Sequence, residues 1–160
     1  MRARWFVLAA VLVSTIMLPS AGTAGVRDER PNLIGGELGG RGLLFTLNYE
    51  RYISNEVGLG AGLMAIRTSG EGITIIPLYA SFTPGNTHSP YLSLGATLLA
   101  GGGDLEDWES TWVMSFSVGY QYHSAGGFFV RPFFTYLSPT EAGAGDEFLI
   151  WPGLTIGGSF

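Results

Sequence analysis

The sequence predicts an all-β fold: eight antiparallel strands, joined up and down and closed into a transmembrane β-barrel behind an N-terminal signal peptide. Three observations predict it. Apolar and polar residues alternate with period two through successive segments, which is the repeat of a strand and not of a helix. These segments run close to the roughly 9–11 residues that a tilted spanning strand requires. After Leu18 no apolar run approaches the roughly 20 residues of a spanning helix, so only strands are left to cross a bilayer.

The chain opens on an export signal. Arg2 and Arg4 supply its positive start, Trp5 to Leu18 its apolar core, and Gly22-Thr23-Ala24 the small residues that a signal peptidase needs. Cleavage after Ala24 assigns residues 1–24 to the signal peptide and 25–160 to one barrel domain. Pro19 and the Ala/Gly-rich run that follows break the helix early, which disfavours an uncleaved anchor.

Composition narrows the function. There is no cysteine, so neither disulfides nor an N-terminal lipid-modified Cys hold the protein. Without Arg2 and Arg4, six of the eight basic residues remain against 13 acids, a balance of about −7 that argues against nucleic acid as a partner. Glycine is abundant, 25 of 160 residues, but without the strict period of a collagen and among too many large apolar residues for a disordered chain.

In chain order, Leu33 to Leu38 is a short first strand and Gly39 to Gly42 its hairpin turn. The second strand carries Leu43, Phe45, Leu47 and Tyr49 on one face, with Asn48 and Glu50 on the other, and Ile53 to Glu56 turns the chain. In Val57 to Arg67, Leu59, Ala61 and Leu63 oppose Gly58, Gly60 and Gly62; glycines on one face suit a narrow interior that larger neighbours must fill. Ile73 to Thr83 returns with Ile76, Leu78 and Ala80 on one side, and Pro84 to Thr87 is a strong turn.

Pro90 to Gly101 sets Leu92, Leu94 and Leu98 against Ser93, Gly95 and Thr97, and Gly102 to Glu109 is an acidic loop. Ser110 to His123 alternates most cleanly: Trp112, Met114, Phe116, Val118, Tyr120 and Tyr122 against a row that includes Ser115, Ser117 and Gln121. So many large residues on one face need lipid or a second packed layer. Phe128 to Leu137 places Phe134 and Tyr136 opposite Arg131, and a second polar loop, 139–147, leads to the last strand, Phe148 to Phe160. An even strand count supports the first strand. Tyr49, Tyr91, Tyr120, Tyr122 and Phe160 fall near the tight-turn end, and Trp112, Tyr136 and Phe148 near the other, as two interfacial aromatic rows. Pro77, Pro132 and Pro152 lie inside strands, where bulges or strand ends are expected.

The predicted lipid face is Leu43, Phe45, Leu47, Leu59, Leu63, Leu78, Leu92, Leu94, Phe116, Val118, Phe134, Leu154 and Ile156. Asn48, Glu50, Ser115, Ser117, Gln121 and Arg131 then share the enclosed face. Glu50 and Arg131 need each other there, because an unpaired interior charge costs several kcal/mol. In a barrel of eight strands such residues fill the lumen and leave little room for solute.

With I-P-L-Y-A-S-F, P-Y-L-S-L-G-A, R-P-F-F-T-Y and W-P-G-L-T-I-G-G-S-F in place, the mature chain resembles the small bacterial outer-membrane β-barrels of the opacity-protein and OmpA-transmembrane-domain type. The resemblance implies the outer membrane of a Gram-negative cell, contact with its lipid and lipopolysaccharide, a structural or surface-interaction role, and no cofactor. The alternation ending in Leu154, Ile156, Gly158 and Phe160 resembles the C-terminal signal that barrel-insertion machinery recognises.

Candidate chemistry is sparse. Lipid A deacylases of that membrane place His and Ser two apart on one face, whereas His123 and Ser124 are adjacent and point oppositely, so no catalytic pair is expected. His88 is another turn residue, too isolated for a metal site. Asp104, Glu106, Asp107 and Glu109 offer hard oxygens to a divalent cation, but without the glycine and final bidentate Glu of a dedicated calcium loop. Two further readings are a secreted lipocalin-like barrel with an apolar ligand inside, which requires the reverse parity of faces, and a lipid-modifying enzyme.

Overall fold

The structure is a computed structural model and describes residues 26–68, 71–102, 109–139 and 149–160. A short helix α1 (Val26–Glu29) precedes strands β1 (Asn32–Gly39), β2 (Phe45–Tyr52), β3 (Val57–Thr68), β4 (Glu71–Phe82), β5 (His88–Gly102), β6 (Glu109–His123), β7 (Phe128–Pro139) and β8 (Leu149–Ser159). Each strand pairs antiparallel with the next, and β8 closes on β1, so the eight strands form a closed barrel. The segment around Leu33 is therefore its first strand. Closure is completed by the last residue: Asn32 and Phe160 exchange backbone hydrogen bonds of 3.1 and 2.9 Å.

Parity decides which medium each side chain meets. Phe45, Leu47, Leu59, Leu63, Leu78, Leu92, Leu94, Phe116, Val118, Phe134 and Ile156 all point outward and are exposed. Phe134 keeps 59% of its surface free and Phe116 47%, values that an aqueous surface does not favour for so continuous a belt. The enclosed face is rich in polar residues, among them Thr46, Asn48, Glu50, Ser93, Ser115, Ser117, Gln121, Arg131 and Thr135, packed with aromatic and aliphatic side chains such as Leu33, Tyr79, Tyr91, Phe129 and Phe133. A soluble barrel holding an apolar ligand needs the opposite arrangement. No helix among the described residues is long and apolar enough to cross a membrane.

Three expectations need correction. Leu43 is not on the lipid face of β2: it follows a 3-10 turn, Gly40–Gly42, and holds a φ of 63° where the chain reverses. Tyr91 is not in an interfacial row. It shares the parity of Ser93 and is wholly buried in the lumen. Finally, the prolines make no bulges. Pairing of β3 with β4 keeps one register on both sides of Pro77, from Ala61↔Leu78 to Met64↔Ile75, and β6 with β7 does the same around Pro132. A strand residue bonds to one neighbour only, so each proline costs a ladder bond on one side and leaves the other intact. Pro152 lies just beyond the last β8 pair with β1, Gly39↔Gly153.

Glycines make the interior possible. A Cβ at Gly58 would stand 2.6 Å from the Glu50 carboxylate, and one at Gly60 would run into the Tyr79 ring. The glycine face of β3 is the space into which β2 and β4 place their large polar side chains.

Candidate functional site

The chemistry of this protein lies along the barrel axis. Arg131 on β7 donates to Glu50 on β2 at 2.7 Å and to Gln121 on β6 at 2.8 Å. Glu50 accepts further hydrogen bonds from Ser81 at 2.6 Å and Tyr79 at 3.1 Å. Four strands thus converge on one carboxylate and one guanidinium.

A second pair sits above it. The 3-10 turn after β1 folds into the barrel, so that Arg41 Nη2 meets Glu37 Oε2 at 2.6 Å, both fully buried. Glu37 also receives the Arg41 backbone N–H at 2.9 Å and Asn48 Nδ2 at 2.9 Å. Gly39 and Gly40 hold φ values of 68° and 60°, the left-handed conformation that lets the turn point inward.

Two tyrosines interlock the pairs. The Tyr79 ring lies 3.6 Å from the Arg41 guanidinium carbon, while its hydroxyl donates to Glu50. The Tyr91 ring lies 4.1 Å from that of Arg131, while its hydroxyl accepts from Arg41 at 2.9 Å. Each ring stacks on one arginine and each hydroxyl serves the opposite pair, so hydrogen bonds and ring contacts tie four charges into one network. The space between Leu33, Asn48, Glu50, Tyr79, Phe129 and Arg131 has no room for a water molecule.

The tight-turn end is closed by what precedes β1. Arg27 of α1 is buried, donates to the Thr83 carbonyl at 2.5 Å and the Asn55 carbonyl at 2.8 Å, and lies 4.7 Å from the Tyr52 ring. Burial pulls its pKa below the usual arginine value, partly offset by Tyr52. Arg30 donates to the Gly126 carbonyl at 2.5 Å on the opposite turn.

His123 is enclosed at the same end and meets a serine hydroxyl that the sequence order hides: Ser159 Oγ, 2.8 Å from Nε2. Among the described residues its Nδ1 has no hydrogen-bond partner, so no carboxylate stands there in the place of a triad acid. His88 points outward and bonds through Nδ1 to the Tyr120 hydroxyl, so the histidines occupy opposite faces of the wall. Of the acidic candidates, Glu109 is exposed at the other end, while Asp104, Glu106 and Asp107 lie outside the described residues. No group of three metal-ligating side chains occurs among the described residues. Sequence reasoning brings Glu50, Gln121 and Arg131 to one face, and there they touch. It misses Glu37, Arg41, Tyr79 and Tyr91, although Glu37 shares a face with Leu33 and an acid in mid-strand signals a buried partner.

The fold has a solved counterpart. The N-terminal β-barrel domain of Pseudomonas aeruginosa OprF superposes with a TM-score of 0.57 over 80% of this chain and 98% of that one, at 14% identity. The chain has the fold of a small outer-membrane β-barrel. Ail, the attachment invasion locus protein of Yersinia pestis, aligns over 80% of this chain and 94% of its own at 16% identity and a TM-score of 0.47. No protein-family model matches the sequence, and no curated protein matches it.

Proposed function

We propose that this chain is an integral protein of the bacterial outer membrane that serves a structural or surface-interaction role, with its lumen plugged and no catalytic activity of its own. The observation that carries the reading is the pairing of an outward apolar belt with an interior held by two interlocked ion pairs. A passage for solute needs a continuous polar void, and here the charged side chains of the lumen are paired with one another. A hydrolase needs its nucleophile within reach of substrate, whereas the His123–Ser159 pair is enclosed and lacks an acid.

The outward Ile156 and Phe160 of the final strand fit a contact with insertion machinery before closure. The longer connections, at the end opposite Arg27, are the natural surface for an external partner.

The test combines location with conductance. The folded protein is expected in the outer-membrane fraction, with gel mobility that changes on boiling, and silent in a planar bilayer. A soluble periplasmic product, or steady single-channel steps from the unaltered protein, contradicts the reading.

A further inference from the structure

We propose that the mouth opposite α1 is a lateral binding site for one acyl chain of a surrounding membrane lipid. The proposal rests on the membrane reading above. The lumen is polar only up to the Glu37–Arg41 pair. Beyond it Met64, Ile75 and Leu99, paired strand to strand on the inward side, are apolar, with Thr111 next in the row. Ile73 keeps 54% of its surface free and Leu149 44%, although both have inward parity, so they face an open space. That space is a cavity of about 580 Å³, within the roughly 300–1,000 Å³ of small-molecule sites. Its lining is mostly hydrocarbon, with exposed Glu109 as the one charged residue. The one indole N–H in it, that of Trp151, is already spent on the Leu43 carbonyl at 2.8 Å. Away from Glu109 a ligand here gains apolar contact and no hydrogen bonds, which favours an alkyl chain.

The wall is notched on one side of this cavity. β2 last pairs with β3 at Leu47↔Leu63, yet β3 continues to Thr68. β1 last pairs with β8 at Gly39↔Gly153, yet β8 begins four residues earlier at Leu149. Between them the inward-folded turn leaves a gap bordered by Leu43, Leu44, Met64 and Trp151, all of which line the cavity. Leu43 stays at a φ of 63°, where a leucine is rarely found, and places an apolar side chain on that border. Trp112, on the outward belt beside the row of Leu99 and Thr111, marks the aromatic level typical of an interface. The notch therefore joins the apolar cavity to the apolar belt where lipid chains begin, and an occupant already concentrated in the bilayer reaches it without crossing water.

The test uses the full folded chain in vesicles of phosphatidylcholine carrying a photoactivatable diazirine on one acyl chain, with adducts located by peptide mass spectrometry. Adducts are expected on inward Ile73, Leu99 and Leu149, which line the cavity, as well as on outward Leu94 and Phe116. Leu99→Trp, which puts an indole into the cavity, should lower the Ile73 and Leu149 adducts severalfold relative to Leu94, in protein whose heat-modifiable mobility confirms folding. Adducts on the belt alone overturn this proposal and leave the membrane reading standing; no adducts on the belt overturn both. In a second arm a free diazirine fatty acid is added to vesicles of unlabelled lipid. Inward adducts from the free acid but not from the phospholipid overturn the membrane lipid as occupant.

Discussion

Arg131 and Glu50 stand 81 residues apart in the chain and 2.7 Å apart in the lumen, joining β7 to β2 across the barrel. Neither charge has water to fall back on, so the pair matters most when half of it is removed. Glu50→Gln or Arg131→Met should each cost about 3–5 kcal/mol, whereas the double replacement Glu50→Leu with Arg131→Met should cost less than their sum. Urea titration of the folded band in vesicles measures this; additive losses would mean that the two side chains act independently.

The tyrosine interlock makes its own prediction. Tyr79→Phe keeps the ring on Arg41 and removes a hydrogen bond to Glu50; Tyr91→Phe keeps the ring on Arg131 and removes one from Arg41. Each should cost about 1.5–3 kcal/mol, the range for hydrogen bonds to charged groups. Replacement by Leu removes the stacking as well and should cost more. Equal losses for Phe and Leu at either site would show that the ring contact contributes nothing.

Gly60 and Gly40 test the space that the network occupies. Gly60→Val sets a branched side chain against the Tyr79 ring and should destabilise by about 1–3 kcal/mol through overpacking. Gly40→Ala meets the Phe133 ring and adds a Cβ at a φ of 60°, a conformation that costs a non-glycine residue about 1–3 kcal/mol. Denaturation midpoints check both, and unchanged midpoints would place the inward turn elsewhere.

These residues also mark how far the sequence was legible. The belt could be read because period two survives in every strand, and Leu33 to Leu38 because a barrel of this kind needs an even count. Arg131 and Glu50 could be paired because each lies in mid-strand opposite apolar neighbours. Arg41 could not, because Gly39 to Gly42 reads as an ordinary surface hairpin; only the left-handed Gly39 and Gly40 turn it inward. Tyr91 was misplaced by its position near a strand end, when its parity with Ser93 is what governs it. The Ser159 contact of His123 joins β6 to β8, two strands that are not neighbours in the sheet, so no local pattern signals it.

Charge placed on the belt should be costly in proportion to depth. Phe116→Arg, in mid-strand on β6, is expected to destabilise by about 2–4 kcal/mol, and Ile53→Arg, in the turn after β2, by no more than about 1 kcal/mol. Equal tolerance at both sites in vesicle-folded protein would contradict a hydrocarbon environment.

The absence of native cysteine permits the most direct measurement of which medium meets each face. Single cysteines from Met114 to Val118, spin-labelled in protein folded into vesicles, report collisions with oxygen, which enriches in lipid, and with a water-soluble nickel chelate. The account predicts high oxygen and low nickel accessibility at Met114, Phe116 and Val118, and low values of both at Ser115 and Ser117. High nickel accessibility along the Phe116 row, or oxygen accessibility that fails to alternate, would contradict it.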